Sequence, residues 1–248
     1  MCTLTIAWRV FDEPVVVAAN RDELLSRPAR PPSVVETDPV VVAPRDEQAG
    51  GTWIGCTDQD LFVGVTNRWV DADLAGERSR GLLVRDALRQ PGATAVRDLV
   101  EAAVADHEYQ GFNLVVADPD DAFLFEWDGE LTTTALDPGV HVVVNTGADD
   151  SFEIPTHRAD IARQQADNAR AVRAELHPRD GETAFEWRER AAAVLGDHDF
   201  GVCVHDPDGR FGTRSSSLIV LGDTIDYRWA DGPPCETAHE PVDLEGQF

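Results

Sequence analysis

The chain has 248 residues, which is enough for one sizeable domain that combines helices and strands. Its formal net charge at pH 7 is -25, and its 21 lysine-or-arginine residues are all arginine; such an acidic chain argues against a nucleic-acid partner, which needs a basic footprint. No apolar run approaches the ~20 residues of a membrane span, and residues 1–10 do not resemble a signal peptide, so we expect a soluble cytoplasmic protein.

Two apolar runs near the start of the chain predict a β-hairpin. Residues 4–10 alternate between large apolar and smaller or polar side chains, which is the period of a half-buried strand, and residues 14–19 contain three successive valines, as a more fully buried strand would. If the numbers of paired residues add up to 24 or 25, Cys2 lies opposite Asp22 or Glu23. A shift of one residue would turn every side chain to the other face, and the sequence leaves both registers open.

Cys2 is a candidate nucleophile because of its position in the chain. If Met1 is removed, Cys2 carries a free α-amine with an ordinary pKa near 8. One residue then contains both a thiol nucleophile and a base, and a nearby carboxylate would orient the amine. The alternative is that Cys2 is a small buried residue at the start of a strand.

The rest of the chain is predicted to alternate between strands and helices. A loop is expected at residues 24–32, and the Gly50–Gly51 pair indicates a hairpin turn or a close backbone approach. The predicted strands cover residues 40–43, 61–66, 112–117, 123–127, 131–134, 142–144, 201–205, 217–221 and 224–229. The predicted helices cover residues 81–90, 96–104 with Thr94 as a cap, 156–176 and 182–195. This order predicts an α+β protein with two mainly antiparallel sheets between helical layers.

We expect one domain over residues 1–231, followed by a polar tail at residues 232–248. The four cysteines (Cys2, Cys56, Cys203 and Cys235) show neither CxxC nor metal-ligand spacing, so we expect no structural metal and no cofactor. Cys203 and His205 alternate with valines and are interpreted as sheet packing. The acidic, lysine-free composition suggests a halophilic protein from a salt-rich cytoplasm, and we interpret the acidity as adaptation to salt.

Asn20-Arg21-Asp22-Glu23 resembles the motif that names the NRDE family, the transport and Golgi organisation 2-like proteins. Further matches follow in order along the chain. They are Met1-Cys2-Thr3, Gly51-Thr52-Trp53-Ile54-Gly55, Thr66-Asn67-Arg68, Arg80-Gly81, Phe112-Asn113-Leu114, Val144-Asn145 and Gly212-Thr213-Arg214-Ser215-Ser216. The family is in turn similar to cysteine N-terminal-nucleophile hydrolases of the penicillin V acylase and bile salt hydrolase group. This resemblance implies a four-layer αββα sandwich and hydrolysis of linear amides.

The resemblance also implies roles for particular residues. Cys2 would be the nucleophile, and Asp22 would hold its amine and thiol. Asn67 or Asn145 would help to form the oxyanion hole, although a turn or cap is the alternative for Asn145. Arg214 would lower the pKa of the cysteine or bind an anionic group, and a surface ion pair is the alternative for Arg214.

Arg21, Asn20 and Trp53 are candidate substrate-binding residues. The acylases place an arginine three residues before their aspartate, where this chain has Ala19, and Arg21 is the available substitute. The first functional hypothesis is a hydrolase of small amides or esters that acts through a Cys2 thioester. The alternatives are a non-catalytic pocket protein that binds or traffics haem or an acyl-lipid ligand, and a scaffold with a degraded site. Either of the first two implies a small-molecule partner, and the oligomeric state is left open.

Overall fold

A computed structural model describes residues 2–244 of the chain, which divide into two compact units. The first unit combines the residues up to Arg27 with Pro138–Val242, and the second consists mainly of Pro28–Asp137. Each unit contains one antiparallel sheet and one pair of α-helices. Within the described residues, no helix combines the length and the apolar character needed to cross a membrane. The predicted class, α+β with two mainly antiparallel sheets, is confirmed.

The strands and helices are numbered in chain order. The strands are β1 (Thr3–Trp8), β2 (Val15–Leu24), β3 (Ala29–Thr37), β4 (Val40–Asp46), β5 (Ile54–Thr57), β6 (Phe62–Asn67), β7 (Phe112–Ala117), β8 (Ala122–Trp127), β9 (Leu131–Ala135), β10 (Gly139–Val144), β11 (Gly147–Ala148), β12 (Ser151–Phe152), β13 (Phe211–Leu221), β14 (Asp226–Ala230) and β15 (Glu240–Pro241). The α-helices are α1 (Arg80–Ala87), α2 (Ala93–Asp106), α3 (Ala159–Glu175) and α4 (Ala184–Gly196).

The sheet of the first unit has the order β12-β11-β10-β1-β2-β13-β14-β15. Helices α3 and α4 contribute Val172 and Trp187 to a core shared with one face of this sheet, and the indole N–H of Trp187 donates to the Leu176 carbonyl at 2.8 Å. Ala7 lies in the same core, so the small side chains of β1 face the helices. All six residues of β1 are buried, and the expectation of a half-buried strand is wrong because β1 is central in the sheet.

The observed hairpin register differs from both predicted registers. Thr3 pairs with Asn20 and Trp8 pairs with Val15, so paired numbers add up to 23 instead of 24 or 25. The connection is longer than predicted because Arg9 leaves the strand with a φ of 52° and donates its backbone N–H to the Pro14 carbonyl at 2.8 Å. Continued by one residue, this register sets Cys2 across from Arg21, with Asp22 next along β2.

Three other predicted boundaries are wrong. Residues 201–205 do not form a strand, because Gly201 turns the chain with a φ of 64° and only an isolated bridge joins His205 to Gly212. The predicted loop at 24–32 is largely extended, since β2 runs to Leu24 and β3 begins at Ala29. Helix α2 begins one residue before Thr94, so Thr94 is not its cap.

The sheet of the second unit has the order β3-β4-β5-β6-β7-β8-β9 and shares a core with α1 and α2. Gly50 has a φ of 72°, which favours glycine, whereas Gly51 is a point of close approach. A Cβ at Gly51 would lie 2.2 Å from the carbonyl carbon of Gly81, whose oxygen accepts a hydrogen bond from the Thr52 N–H at 3.0 Å. Two glycine motifs that are thirty residues apart are therefore held together by their backbones.

Candidate active site

Cys2 lies at the entrance to β1, between the ends of β2 and β10. Its backbone N–H donates to Asn145 Oδ1 at 2.9 Å, and its thiol points at the backbone carbonyl oxygen of Asp22, 3.7 Å away. Burial raises the pKa of the Cys2 thiol above its ordinary value, and the hydrogen bond to the Asp22 backbone and, to a smaller extent, the positive charge of Arg21 oppose this shift. The thiol is therefore protonated at neutral pH and needs a base before it can act as a nucleophile.

Asp22 is a buried carboxyl group on β2. Burial raises its pKa from 3.8 to about 6, and the hydrogen bond from the Thr213 hydroxyl to Oδ1, 2.7 Å long, works in the opposite direction. Thr213 is itself fixed by two hydrogen bonds to Val204, one to its N–H and one to its carbonyl, each 2.8 Å long. Above pH 6 the site thus contains a carboxylate whose position is set by β13.

Asn145 follows β10 and is 1% exposed. Its Oδ1 accepts two hydrogen bonds, one from the Cys2 N–H and one from Gln165 Nε2, each 2.9 Å long. Because both donors meet the same oxygen, they fix which way the amide faces. Gln165 was missed by sequence reasoning. Its signal was a polar residue at helical spacing between Ala162 and Ala169, on the buried face of α3.

Arg21 is the cation that the structure brings to Cys2. Its side chain is 7% exposed, and its Nη2 lies 3.6 Å from a Glu23 carboxylate oxygen. The position occupied by an arginine in the acylases is Ala19, which pairs with Leu4. The register that sets Cys2 across from Arg21 therefore supplies a guanidinium group from two residues further along β2.

Asn20 faces the helices of the first unit and is 2% exposed. Its side-chain amide donates to the Leu195 carbonyl at 3.0 Å and to the Val202 carbonyl at 2.9 Å. These carbonyls belong to the end of α4 and to the loop that follows it. Asn20 thus anchors this loop to β2, and its predicted contact with substrate stays a prediction.

The remaining predicted site residues have other described surroundings. Arg214 is the extra residue of a β-bulge between Thr213 and Ser215, and its guanidinium binds Asp231 at 2.9 Å. Among the described hydrogen bonds and ion pairs, none joins Arg214 to Cys2. Asn67 is exposed at the end of β6, and Trp53 is half-buried just before β5, both in the second unit. Their catalytic and binding roles stay predictions.

The buried Arg68, beside Asn67, belongs to a hydrogen-bonded network inside the second unit. Its guanidinium donates to Asn113 Oδ1 at 2.9 Å and to the Glu126 carboxylate, while Asn113 Nδ2 donates to the Thr66 hydroxyl at 3.2 Å. These contacts link the ends of β6, β7 and β8. The Thr66-Asn67-Arg68 and Phe112-Asn113-Leu114 motifs therefore meet in one structural cluster.

Comparison with known proteins identifies the family of this chain. A family model described as Transport and Golgi organisation 2 matches residues 1–230. The Transport and Golgi organization protein 2 homolog of Bos taurus is 27% identical over 234 residues, which cover 84% of this chain and 82% of that protein.

Two solved structures share the fold of the chain. The Caenorhabditis elegans N-acylethanolamine-hydrolyzing acid amidase ortholog superposes with a TM-score of 0.57 at 15% identity, covering 90% of this chain and 94% of that one. A variant of the conjugated bile acid hydrolase from Clostridium perfringens has a TM-score of 0.58 at 10% identity, with coverages of 98% and 92%. The predicted likeness to N-terminal-nucleophile hydrolases is confirmed at the level of the fold, and the chain belongs to the Transport and Golgi organisation 2 family.

Proposed function

We propose that this protein is a cysteine N-terminal-nucleophile hydrolase that cleaves a small linear amide or ester through a thioester on Cys2. The observation that carries the proposal is the environment of Cys2: its backbone nitrogen is 2.9 Å from Asn145 Oδ1, and its sulfur lies beside Asp22. The hydrolase names of the two solved structures support the substrate class, and their low identity leaves that class a proposal.

The proposed reaction begins with proton transfer from sulfur to nitrogen. Once Met1, which lies outside the described residues, has been removed, the nitrogen of Cys2 becomes an α-amine and accepts the thiol proton as sulfur attacks the substrate carbonyl. The raised pKa of Cys2 makes this base necessary, because little thiolate forms beforehand. Asn145 Oδ1 orients the amine, and the Asp22 carboxylate stabilises its protonated form.

The second half of the reaction regenerates the enzyme. The protonated amine gives its proton to the leaving amine or alcohol, which departs as the thioester forms. A water molecule then attacks the thioester carbonyl while the α-amine removes its proton, and the acid is released with a free thiol. In this proposal Arg21 favours negative charge on sulfur during attack, and the side-chain amide of Asn145 donates to the oxyanion.

The test combines intact mass with covalent trapping. We expect the mature protein to lack Met1, an electrophilic acyl probe to add once per chain, and peptide mapping to place it on Cys2. Cys2→Ala should abolish labelling and hydrolysis of a panel of acyl amides and esters. Cys56→Ala, which changes a buried thiol of the second unit, is the matched control and should retain both. Retention of Met1 together with an unreactive Cys2 would exclude this mechanism.

A second candidate is a non-catalytic protein that binds haem or an acyl lipid. The observation that favours it is Ala19, which stands where the acylases have an arginine. Titration of the purified protein with haem should then shift the haem absorption band at micromolar protein. Absence of a shift, with hydrolysis present, favours the enzyme.

A further inference from the structure

A group of four cysteine and histidine side chains converges at one edge of the first unit. It consists of His198, Cys203, His205 and Cys235, and their ligand atoms all lie within 4.8 Å of one another. The sulfurs of the two cysteines are 3.5 Å apart, and both cysteines are free. His205 Nε2 is 3.6 Å from the Cys203 sulfur and 3.1 Å from that of Cys235.

The three separations among Cys203, His205 and Cys235 are close to the edges of a metal-centred tetrahedron. Zn²⁺ binds thiolate at ~2.3 Å and imidazole at ~2.0–2.1 Å, so neighbouring ligand atoms in a tetrahedral site are about 3.3–3.8 Å apart. The measured values of 3.1, 3.5 and 3.6 Å lie in or near this range. Two thiols and two imidazoles form the donor set typical of zinc and disfavoured by magnesium or calcium. We propose that these four side chains, two cysteines and two histidines, bind one Zn²⁺ in a closed, structural site.

Three separate pieces of chain supply the ligands. His198 opens a short 3₁₀ helix after α4, and Gly201, with a φ of 64°, reverses the chain before Cys203. A Cβ at Gly201 would lie 2.4 Å from the Asn168 side chain, so the turn is tightly enclosed. Cys235 lies in a turn that is closed by a hydrogen bond, 2.9 Å long, from the Thr237 N–H to the Pro233 carbonyl.

The arrangement explains why the sequence did not reveal this site. The ligand positions follow the pattern H-x4-C-x-H, and the fourth ligand comes thirty positions later in the polar segment after residue 232. Only the fold brings that segment back to the end of α4, where the Pro234 carbonyl oxygen would be 3.2 Å from a Cβ on Gly196. Cys203 is buried while His198 and His205 are exposed, which gives the ion a path of entry from solvent.

The site would stabilise the loop that holds Asp22 in place. Val204 lies between two of the ligands, and its two hydrogen bonds fix Thr213, which in turn donates to Asp22. On binding, Zn²⁺ replaces the protons of both thiols and cross-links the loop to the chain after β14. The role is structural, because four protein ligands leave no open position for substrate.

The first experiment measures metal binding without reference to catalysis. The reduced, chelator-treated protein is titrated with Co²⁺, and we expect saturation at one ion per chain with thiolate-to-cobalt charge-transfer bands that disappear when Zn²⁺ is added. Zn²⁺ should also raise the thermal unfolding midpoint of the apoprotein. A wild-type protein that binds no Co²⁺ or Zn²⁺, or one in which peptide mapping finds a Cys203–Cys235 disulfide under reducing conditions, would overturn the proposal.

Variants then test the ligand assignment. Cys235→Ser removes an exposed ligand with little effect on packing and should lower the affinity for Co²⁺ at least tenfold and weaken the charge-transfer bands. Cys56→Ala changes a cysteine of the second unit and should keep the stoichiometry and the spectrum of the wild type. An unchanged spectrum in Cys235→Ser would show that the metal binds elsewhere and refute the site.

Discussion

Asp22 is the ionisable group whose state most directly affects Cys2. Its carboxyl is buried and accepts a hydrogen bond from the Thr213 hydroxyl, and its backbone carbonyl oxygen lies 3.7 Å from the Cys2 sulfur. Burial removes water from this carboxylate, and the cost of that desolvation raises its pKa to about 6. A raised carboxyl pKa is typical of functional sites, because a carboxyl group with a pKa near 6 exchanges protons close to physiological pH.

We predict that Asp22 makes a distinct contribution to the pH dependence of stability. Its pKa is about 6 in the folded protein and 3.8 ordinarily, so the native state binds the proton more tightly. The resulting stabilisation is complete below pH 3.8 and is lost as pH rises through 6; it amounts to roughly 3 kcal/mol at most. Urea unfolding of the wild type and Asp22→Asn between pH 4 and 7.5 measures it.

The comparison between the two proteins isolates this carboxyl from the many others in the chain. Relative to Asp22→Asn, the free energy of unfolding of the wild type should fall between pH 4 and 6. Above pH 7 the two curves of unfolding free energy against pH should be parallel. Asp98→Asn, the same change at an exposed position of α2, should run parallel to the wild type throughout. Parallel curves for Asp22→Asn as well would contradict the raised pKa.

Asn20 yields a prediction about stability instead of chemistry. Asn20→Ala leaves the Leu195 and Val202 carbonyls without their described donor in a buried place, at a cost of about 1–3 kcal/mol for each unsatisfied group. We expect a loss of roughly 2–4 kcal/mol in the free energy of unfolding by urea. Asn168→Ala is the matched control, because it removes one partly exposed bond to the Gly201 carbonyl and should cost about 1 kcal/mol. Equal losses in both variants would refute the anchoring role of Asn20.

At the scale of elements, the register of the β1–β2 hairpin is set by its connecting loop, outside both strands. The sequence predicted two strands and the approach of Cys2 to the acidic cluster, and the structure has both. It could not predict the register, because that depends on Arg9 adopting a positive φ, which nothing in its side chain requires. The same limit applies to residues 201–205: their valine alternation is typical of a strand, and the chain reversal at Gly201 overrides it.

Contacts between distant elements set a second limit on prediction from the sequence. The four helices were predictable from their 3.6-residue period and their bounding turns, because these features are local. The bond between Gln165 and Asn145 depends on how α3 lies on the sheet, and no local pattern encodes that packing. The candidate site was therefore predictable in its residue types, whereas its hydrogen bonds were not.

The two neighbouring glycines before β5 give a prediction at this scale. Gly51→Ala would place a methyl group 2.2 Å from the Gly81 backbone and force β5 away from α1, so we expect a loss of more than 3 kcal/mol in unfolding free energy or failure to fold. In Gly50→Ala the added methyl group has no atom within 4 Å. The only expected cost is that of a positive φ at an alanine, roughly 1 kcal/mol of unfolding free energy. Urea denaturation of both variants measures the difference. If Gly50→Ala proved the more damaging, backbone conformation and not close approach would govern this motif.

At the scale of the whole molecule, charge sets the conditions under which the fold is stable. A net charge of -25 on 248 residues destabilises the compact state by self-repulsion in dilute buffer. Arginine carries all of the chain's strong positive charge, and its planar fork suits paired contacts with carboxylates, such as that of Arg188 with Glu189 through Nε and Nη2. Such local pairs reduce the repulsion but leave most of the excess charge unbalanced.

We therefore predict that the protein is more stable in molar salt than in dilute buffer. The Debye length falls from ~10 Å at 0.1 M to ~3 Å at 1 M, so repulsion across the surface should be largely screened by 1 M KCl. A gain of 2 kcal/mol would raise the unfolding midpoint by roughly 4–8 °C for a chain of this size. Thermal scans from 0.02 to ~3 M KCl test this, with sucrose as a control that stabilises without screening. A steep rise confined to KCl below 1 M is the expected result, and a maximum of stability in dilute buffer would contradict the adaptation to salt that the composition suggests.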